Sequence, residues 1–146
     1  MGGESVKIVE DLISRGLIKK CAFSKEMYKK EYGVGLKDLE SAKLSFENEN
    51  YKWATVQAYY AIFHAARGLI YKSGYREKSH TALLSAFEEL YIKTNKLQRT
   101  IYICLKKGMF LREDADYKNL YSKDGAEDII LSVDTALKEI KNLIDN

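Results

Sequence analysis

Two clusters of polar residues in the second half of the chain have the chemistry to hold a phosphate. The first is the segment 74–80, in which Arg76, Lys78 and His80 surround Ser79, a residue suited to cap a following helix. Free amides and the helix dipole at such an N-terminus favour an anion. Charged turns are common, so the alternative is a solvated turn in which His80 packs on its own helix.

Arg112 and Tyr117 form the second cluster, just before the last predicted helix. Arginine offers planar, permanently charged donors that suit phosphate. Tyr117 has a ring that can stack on a base and a hydroxyl that can hydrogen-bond a phosphate. The alternative is a salt-bridged connection in which Tyr117 is anchored in the core. Residue types alone leave both interpretations open.

A third group of polar residues shares one stripe of an otherwise apolar helix: Trp53, Tyr60, His64, Arg67 and Tyr71. An imidazole in such a place is more often hydrogen-bonded in a core or interface than catalytic. We therefore predict structural or interface roles for Tyr60, His64 and Arg67. The chain has two histidines and no carboxylates at ligand spacing from them, so we expect no metal and no cofactor.

The elements that must position these residues are predicted to be helices only. Apolar residues recur at helical spacing, and no alternation typical of a strand is sustained. The chain of 146 residues also lacks proline, which suits long helices. We predict an all-α, antiparallel up-and-down helical bundle with an extra N-terminal helix. The helices are expected at about 4–15, 24–50, 52–72, 79–94, 95–111 and from 124 onward, with a polar loop at 112–123.

Several residues predict where these helices begin and end. Ser24, Ser79 and Asn95 are the expected N-caps of the second, fourth and fifth helices. Asp124 and Glu127 have the spacing of a capping box for the last helix. Two glycine positions, Gly16 and Ser73-Gly74, are expected to end the first and third helices. Gly33 and Gly35 predict a kink in the second helix.

The third predicted helix is apolar on nearly every face, Tyr59 included, so it must be covered from several sides. Together with the aromatic face of Trp53, Tyr60 and Tyr71, this predicts a homodimer. The net charge of +3 permits contact with nucleic acid but does not require it. No apolar run is long enough to span a membrane, and Cys21 and Cys104 lack metal or redox spacing. We expect a cytoplasmic protein.

Three separated motifs resemble the HEPN domain, and more narrowly a small stand-alone prokaryotic subgroup of that family. They are the run 58–67 (AYYAIFHAAR), Ser79-His80, and Arg112 followed by Ala115-Asp116-Tyr117. They occur in the order of the family over about residues 36–145. On this basis residues 1–35 are an N-terminal helical extension, and residues 36–146 are the HEPN-like bundle.

The resemblance implies a helical bundle that commonly dimerises and is often paired with a minimal nucleotidyltransferase as a toxin–antitoxin system. It also implies metal-independent RNA cleavage in the active members, where a motif arginine is followed four to six residues later by a histidine. In them the histidine handles protons and the arginine stabilises charge. Arg112 matches the motif arginine, but Tyr117 stands where the histidine is expected. A phenol with a pKa of about 10 is a poor base at neutral pH.

We therefore expect a HEPN protein that acts by nucleotide, RNA or partner binding in a toxin–antitoxin-like pair, with Arg76, Lys78 and Arg112 holding phosphate. One alternative is a metal-independent endoribonuclease with a degenerate motif, in which Arg112, Tyr117 and His80 are catalytic. Another is a purely structural helical adaptor. Related paired systems also suggest that Tyr117 accepts a nucleotidyl group from the partner enzyme.

Overall fold

A computed structural model describes the backbone of residues 2–146 and the side chains of residues 7–146. Over this range it confirms the predicted all-α helical bundle. None of the helices in this range is both long and apolar enough to cross a bilayer. The elements are α1 (Gly2–Ser14), β1 (Ile18–Lys20), α2 (Lys25–Glu47), α3 (Tyr51–Lys72), β2 (Tyr75–Glu77), α4 (His80–Phe87), α5 (Arg99–Tyr117) and α6 (Lys123–Asp145), with a π-helical turn (Glu88–Ile92) after α4.

Helix α3 lies at the centre, as its sequence predicts, and most of its 22 residues are buried. The neighbours that cover it are α2, α5 and α6. Fully buried alanines, among them Ala58, Ala61 and Ala65, keep its surface narrow enough for these helices to pack closely. The apolar surface from which we predicted a homodimer is therefore covered within one chain. Trp53 remains 48% exposed, at the N-terminal end of α3.

Helix α2 continues through Gly33 and Gly35, where the sequence predicts a kink. At Gly35 a Cβ would lie only 2.6 Å from the carbonyl oxygen of Ala61 and 3.2 Å from the backbone nitrogen of Ala65. Gly35 is thus the point at which the backbones of α2 and α3 approach each other. The predicted boundary between residues 35 and 36 falls inside this helix.

Four of the predicted helix ends are confirmed. The Ser24 and Ser79 hydroxyls accept hydrogen bonds from Met27 N at 3.2 Å and from Ala82 N at 3.1 Å, respectively. Gly16 and Gly74 follow α1 and α3 with φ of 71° and 87°. Glycine suits both positions because a side chain there is strained.

Two predicted caps are wrong. Helix α5 begins after Gln98, because Leu97 N donates to the carbonyl of Tyr91 and ties the preceding turn to the π-helical segment. Asn95, the expected cap, lies in that turn with φ of 60°. Helix α6 is capped by Ser122, whose hydroxyl accepts from Gly125 N at 2.9 Å, in place of the predicted capping box at Asp124.

The polar loop predicted at residues 112–123 is also wrong in its first half. Helix α5 continues through Arg112 and ends at Tyr117. The last turn of α5 is favoured because Ala115, which lies in it, is completely buried. It closes where the carbonyl of Asp114 accepts from both Lys118 N and Leu120 N. Arg112 and Tyr117 are therefore held on a helix.

A two-stranded antiparallel sheet is the element that sequence periodicity misses. Strand β1 pairs with β2 so that Ile18 faces Glu77 and Lys19 faces Arg76. Three residues are too few for alternation to be recognised, and the two strands are distant in sequence. The segment predicted as a charged turn is thus a strand in which Glu77 is buried and Arg76 is exposed.

The close approach at Gly35 generates a test with its own control in the same helix. We expect Gly35→Ala to lower the free energy of unfolding by about 1–3 kcal/mol, because the new methyl group would press on the backbone of α3. Gly33→Ala should instead stabilise by about 0.5–1 kcal/mol, since nothing lies within 4 Å of the added atom. Urea denaturation measures both, and equal effects would contradict the packing described.

Candidate functional site

The exposed stripe of α3 and the side chains around it form a half-buried polar surface, which we call the ledge. Its residues contact one another: Tyr60, His64 and Arg67 of α3, Glu31 and Asp38 of α2, Glu77 of β2, His80 of α4, and Arg112, Asp116 and Tyr117 of α5. Buried Tyr59 and Phe63 lie beneath it. The ledge has two ends with different chemistry.

Arg112 organises one end. Its Nε donates to Asp116 Oδ2 and its Nη2 donates to the Tyr60 hydroxyl, each at 3.0 Å. The guanidinium carbon lies 5.5 Å from the ring centroid of Tyr60 and 5.5 Å from that of Tyr117. Hydrogen bonds to described residues thus use two of the five N–H groups that arginine carries. The side chain is 19% exposed, so donors remain for a ligand.

The fold brings His80 to this end of the ledge. Its ring stacks on Phe63 with centroids 4.2 Å apart and lies edge-on to Tyr60 at 6.5 Å. Its Nδ1 is 2.5 Å from the hydroxyl of Tyr59. Burial and then the positive charges of Arg112 and Arg67 hold the pKa of His80 below its ordinary value. The imidazole is therefore neutral at neutral pH.

Ion pairs dominate the other end. His64 Nδ1 donates to Glu31 Oε1 at 2.7 Å, and the same oxygen lies 3.6 Å from Arg67 Nη1. Arg67 Nε donates to Glu77 Oε2 at 2.7 Å, and Arg67 Nη2 lies 2.5 Å from the same oxygen. Asp38 lies 3.8 Å from His64 Nε2, and burial raises its pKa despite the opposing effect of His64. Carboxylates thus already engage His64 and Arg67, and these contacts tie α2, α3 and β2 together.

The residues predicted to hold phosphate separate in the structure. Arg112 and His80 share the ledge, whereas Arg76 and Lys78 line a cavity of about 480 Å³ between the end of α1 and the sheet. The cause is strand alternation, since Glu77 turns towards Arg67 and its two neighbours in sequence face away. Tyr117 lies beside Arg112 but is 74% exposed, so it is not anchored in the core.

Several residues of the ledge are missed by sequence reasoning. Tyr59 has the spacing of a core residue, and its hydroxyl acquires a role only through contact with α4. Glu31 and Asp38 are seven residues apart on the face of α2 that carries Gly35, a spacing that indicates a shared surface. Glu77 gives no such signal, because its burial depends on the short strand pair.

The Arg67–Glu77 pair generates a stability test. Arg67→Met should cost about 2–4 kcal/mol in the free energy of unfolding, because it leaves a carboxylate that is 3% exposed without its cation. The double variant Arg67→Met/Glu77→Gln should be more stable than this single variant. Arg99→Met is the matched control and should cost at most about 1 kcal/mol, because its ion pair with Glu88 is more exposed. An equal loss in the single and double variants would contradict the proposed cause.

Comparison with known proteins places this geometry in a family. The profile of the HEPN domain matches residues 33–143. A Methanocaldococcus jannaschii protein named "Putative toxin MJ0605" is 29% identical over 112 residues, which cover 76% of this chain and 84% of that protein. A Thermotoga maritima protein named "UPF0332 protein" is 27% identical over 110 residues, covering 74% and 83%.

A second Methanocaldococcus jannaschii protein, "Putative toxin MJ0142", is 28% identical over 81 residues, which cover 56% of this chain and 55% of that protein. The profile match spans α3, the N-terminus of α4 and α5, and therefore includes the elements that carry Tyr60, His80 and Arg112. A profile that matches most of the chain, together with relatives that align along it, establishes the assignment. The chain belongs to the HEPN domain family.

Proposed function

We propose that this HEPN protein is toxin-like and binds a phosphate of RNA or of a nucleotide at the Arg112 end of the ledge. The observation that carries the proposal is the state of Arg112, which is fixed by Tyr60 and Asp116 but retains unused donors. The toxin-like character is supported by the names of two relatives.

The surroundings of Arg112 suit a nucleotide more than a free anion. A guanidinium makes short, charge-assisted hydrogen bonds to phosphate oxygens. The ring of Tyr117 is 74% exposed beside it and offers a face on which a base can stack. His80 supplies a further polar group at the same end. In the other half of the ledge, by contrast, carboxylates already occupy Arg67 and His64.

RNA cleavage is the second candidate, and the position of His80 is what favours it. The sequence offers Tyr117 in place of the motif histidine, but the fold brings an imidazole from α4 to the ring of Tyr60, which Arg112 also contacts. In this candidate the imidazole of His80 handles protons in place of the motif histidine, together with Arg112 and Tyr117. Incubation of purified protein with RNA and a chelator tests this candidate, and cleavage that persists in His80→Ala would contradict it.

Arg112→Ala should weaken binding of a fluorescently labelled RNA oligonucleotide by roughly tenfold or more, because a charge-assisted hydrogen bond is lost. Arg99→Ala is the matched control on the same helix. Arg99 also pairs with a carboxylate and lies over a tyrosine ring, but outside the ledge. Fluorescence anisotropy at fixed salt measures both variants. Equal weakening would show that binding depends on overall charge and not on the ledge.

We further propose that the protein is a homodimer, through a surface of α5 different from the one the sequence suggests. Four exposed residues in the middle of α5 recur at alternating spacings of three and four: Ile103, Lys106, Phe110 and Glu113. Ile103 and Phe110 are 53% and 54% exposed. Beside this stripe a surface groove of about 470 Å³ separates α5 from α6. Such a heptad stripe is the pattern of a helix that pairs with another helix.

The charges in the stripe favour a second copy of this chain as the partner. Lys106 and Glu113 flank Phe110 on either side. When two copies of α5 cross antiparallel near Phe110, Lys106 of each copy meets Glu113 of the other. Neither residue has an ion pair within the described part of its own chain. The stripe is therefore self-complementary in charge.

Exchanging the charges at positions 106 and 113 tests this dimer directly. Wild type should have a mass of about twice 16.8 kDa by light scattering at micromolar concentration. Lys106→Glu and Glu113→Lys should each weaken the dimer, because like charges then meet across the interface. The double variant Lys106→Glu/Glu113→Lys should restore it. A wild-type monomer, or a double variant weaker than both single variants, would contradict the antiparallel arrangement.

A nucleotidyltransferase is the partner that we propose for a toxin–antitoxin-like pair, in line with the family resemblance. The exposed hydroxyl of Tyr117 is the group such an enzyme would reach most easily. Co-expression with a minimal nucleotidyltransferase, taken from beside this chain's own gene where one is encoded there, should yield a co-purifying complex or a chain whose mass is increased by a nucleotidyl group. Tyr117→Phe should keep RNA stacking and lose only the modification. An unmodified chain that does not associate with the enzyme would contradict the pairing.

A further inference from the structure

The contact between Tyr59 and His80 admits two arrangements of hydrogens, and its surroundings favour one of them. The hydroxyl of Tyr59 lies 2.5 Å from Nδ1 of His80, so one hydrogen must lie between them. Tyr59 is 1% exposed, and burial raises the pKa of its phenol, so the hydroxyl keeps its hydrogen. Nδ1 of His80 is the one acceptor that this buried hydroxyl meets among the described residues, so the arrangement that satisfies the phenol hydrogen has the phenol donating and Nδ1 accepting.

The charges around His80 agree with this arrangement. The pKa of His80 is lowered first by burial and then by Arg112 and Arg67, with a smaller effect of the same sign from His64. Glu77 acts in the opposite direction but is engaged by Arg67. A neutral imidazole whose Nδ1 accepts a hydrogen bond carries its own hydrogen on Nε2. Nε2 has no hydrogen-bond partner among the side chains that the structure describes.

We infer that Tyr59 is a positioning residue that fixes His80 as a neutral Nε2–H donor beside Arg112, so that this end of the ledge receives an anionic phosphodiester oxygen. The ligand in this inference rests on the proposed function, whereas the state of His80 does not. Arg112 and His80 then form a two-donor site. His80 holds and orients the phosphate and does not take a proton from it.

This arrangement bears on the ribonuclease candidate. A general base for a ribose 2′-hydroxyl needs a lone pair, and in this state the lone pair of His80 is on Nδ1 and occupied by Tyr59. Cleavage through His80 would require the hydrogen bond to reverse, with the phenol as acceptor. In this geometry His80 can therefore bind a phosphate but cannot act as a general base.

Nuclear magnetic resonance of the full chain with ¹⁵N-labelled histidine tests the state of His80. The chain has two histidines, so His64→Gln assigns the signals. At about pH 7.5, Nδ1 of His80 should resonate as an unprotonated nitrogen and Nε2 as a protonated one, and the titration midpoint should lie below about 6.5. A hydrogen on Nδ1, or on both nitrogens, would overturn the inference.

Two tyrosine variants test whether Tyr59 is the cause. Tyr59→Phe removes the hydrogen bond that favours the neutral imidazole, so the titration midpoint of His80 should rise. Tyr91→Phe is the matched control, because Tyr91 is also buried and donates to the carbonyl of Leu69, away from the ledge. It should lose stability but leave the titration of His80 unchanged. An equal shift of the His80 titration midpoint in Tyr59→Phe and Tyr91→Phe would contradict the positioning role of Tyr59.

Binding of a dinucleotide with a 2′-deoxy first sugar tests the ligand, since its single phosphodiester cannot be cleaved by a 2′-hydroxyl. The amide nitrogen of His80→Gln can occupy the place of Nε2–H, so this variant should bind within about twofold of wild type. His80→Ala should bind roughly tenfold more weakly. Equal loss in both variants would overturn the donor role. If wild type binds no phosphodiester, the proposed function fails, while the resonance experiment still decides the state of His80.

Discussion

The burial of α3 on nearly every face is the constraint from which the remaining features of this protein follow. Small residues on α3 and Gly35 on α2 let the backbones of these two helices approach so closely that no side chain fits at position 35. Helices α2, α5 and α6 then cover the apolar faces. Polar groups of α3 can remain only along one stripe, where each must find a partner or reach water.

The two ends of the ledge meet this requirement in different ways. At one end, carboxylates from α2 and β2 pair with His64 and Arg67, and these contacts connect three elements. Breaking such a pair leaves a buried charge, so this end behaves as part of the scaffold. At the other end, Arg112 is bonded to Tyr60 and Asp116 but keeps free donors. Whether the hydrogen-bond donors of a residue are already occupied is what distinguishes structural from ligand-binding residues here.

Covering α3 within one chain also changes which surface is available for association. Since its apolar faces are already buried, a second copy has nothing to add there. Helix α5 packs one side on the bundle. Its other side carries the exposed apolar residues Ile103 and Phe110 and the opposite charges of Lys106 and Glu113. Because Glu113 of this stripe directly follows Arg112, association and ligand binding would meet on the same stretch of α5.

Local features of this chain could be predicted from its sequence, because they depend on residues a few positions apart. Helical spacing predicted the all-α bundle and the central position of α3, and Ser24, Ser79 and Gly74 predicted helix ends that the structure confirms. Arg112 could be chosen as a candidate from its residue type and motif.

Tertiary packing decided the rest. The pairing of β1 with β2 turned Arg76 and Lys78 away from the ledge and buried Glu77, since a strand reverses its side chains at every residue. The contact of α4 with α3 placed His80 against Tyr59 and near Tyr60, which Arg112 also contacts. Such contacts depend on which distant segments meet, and spacing along one segment does not encode that.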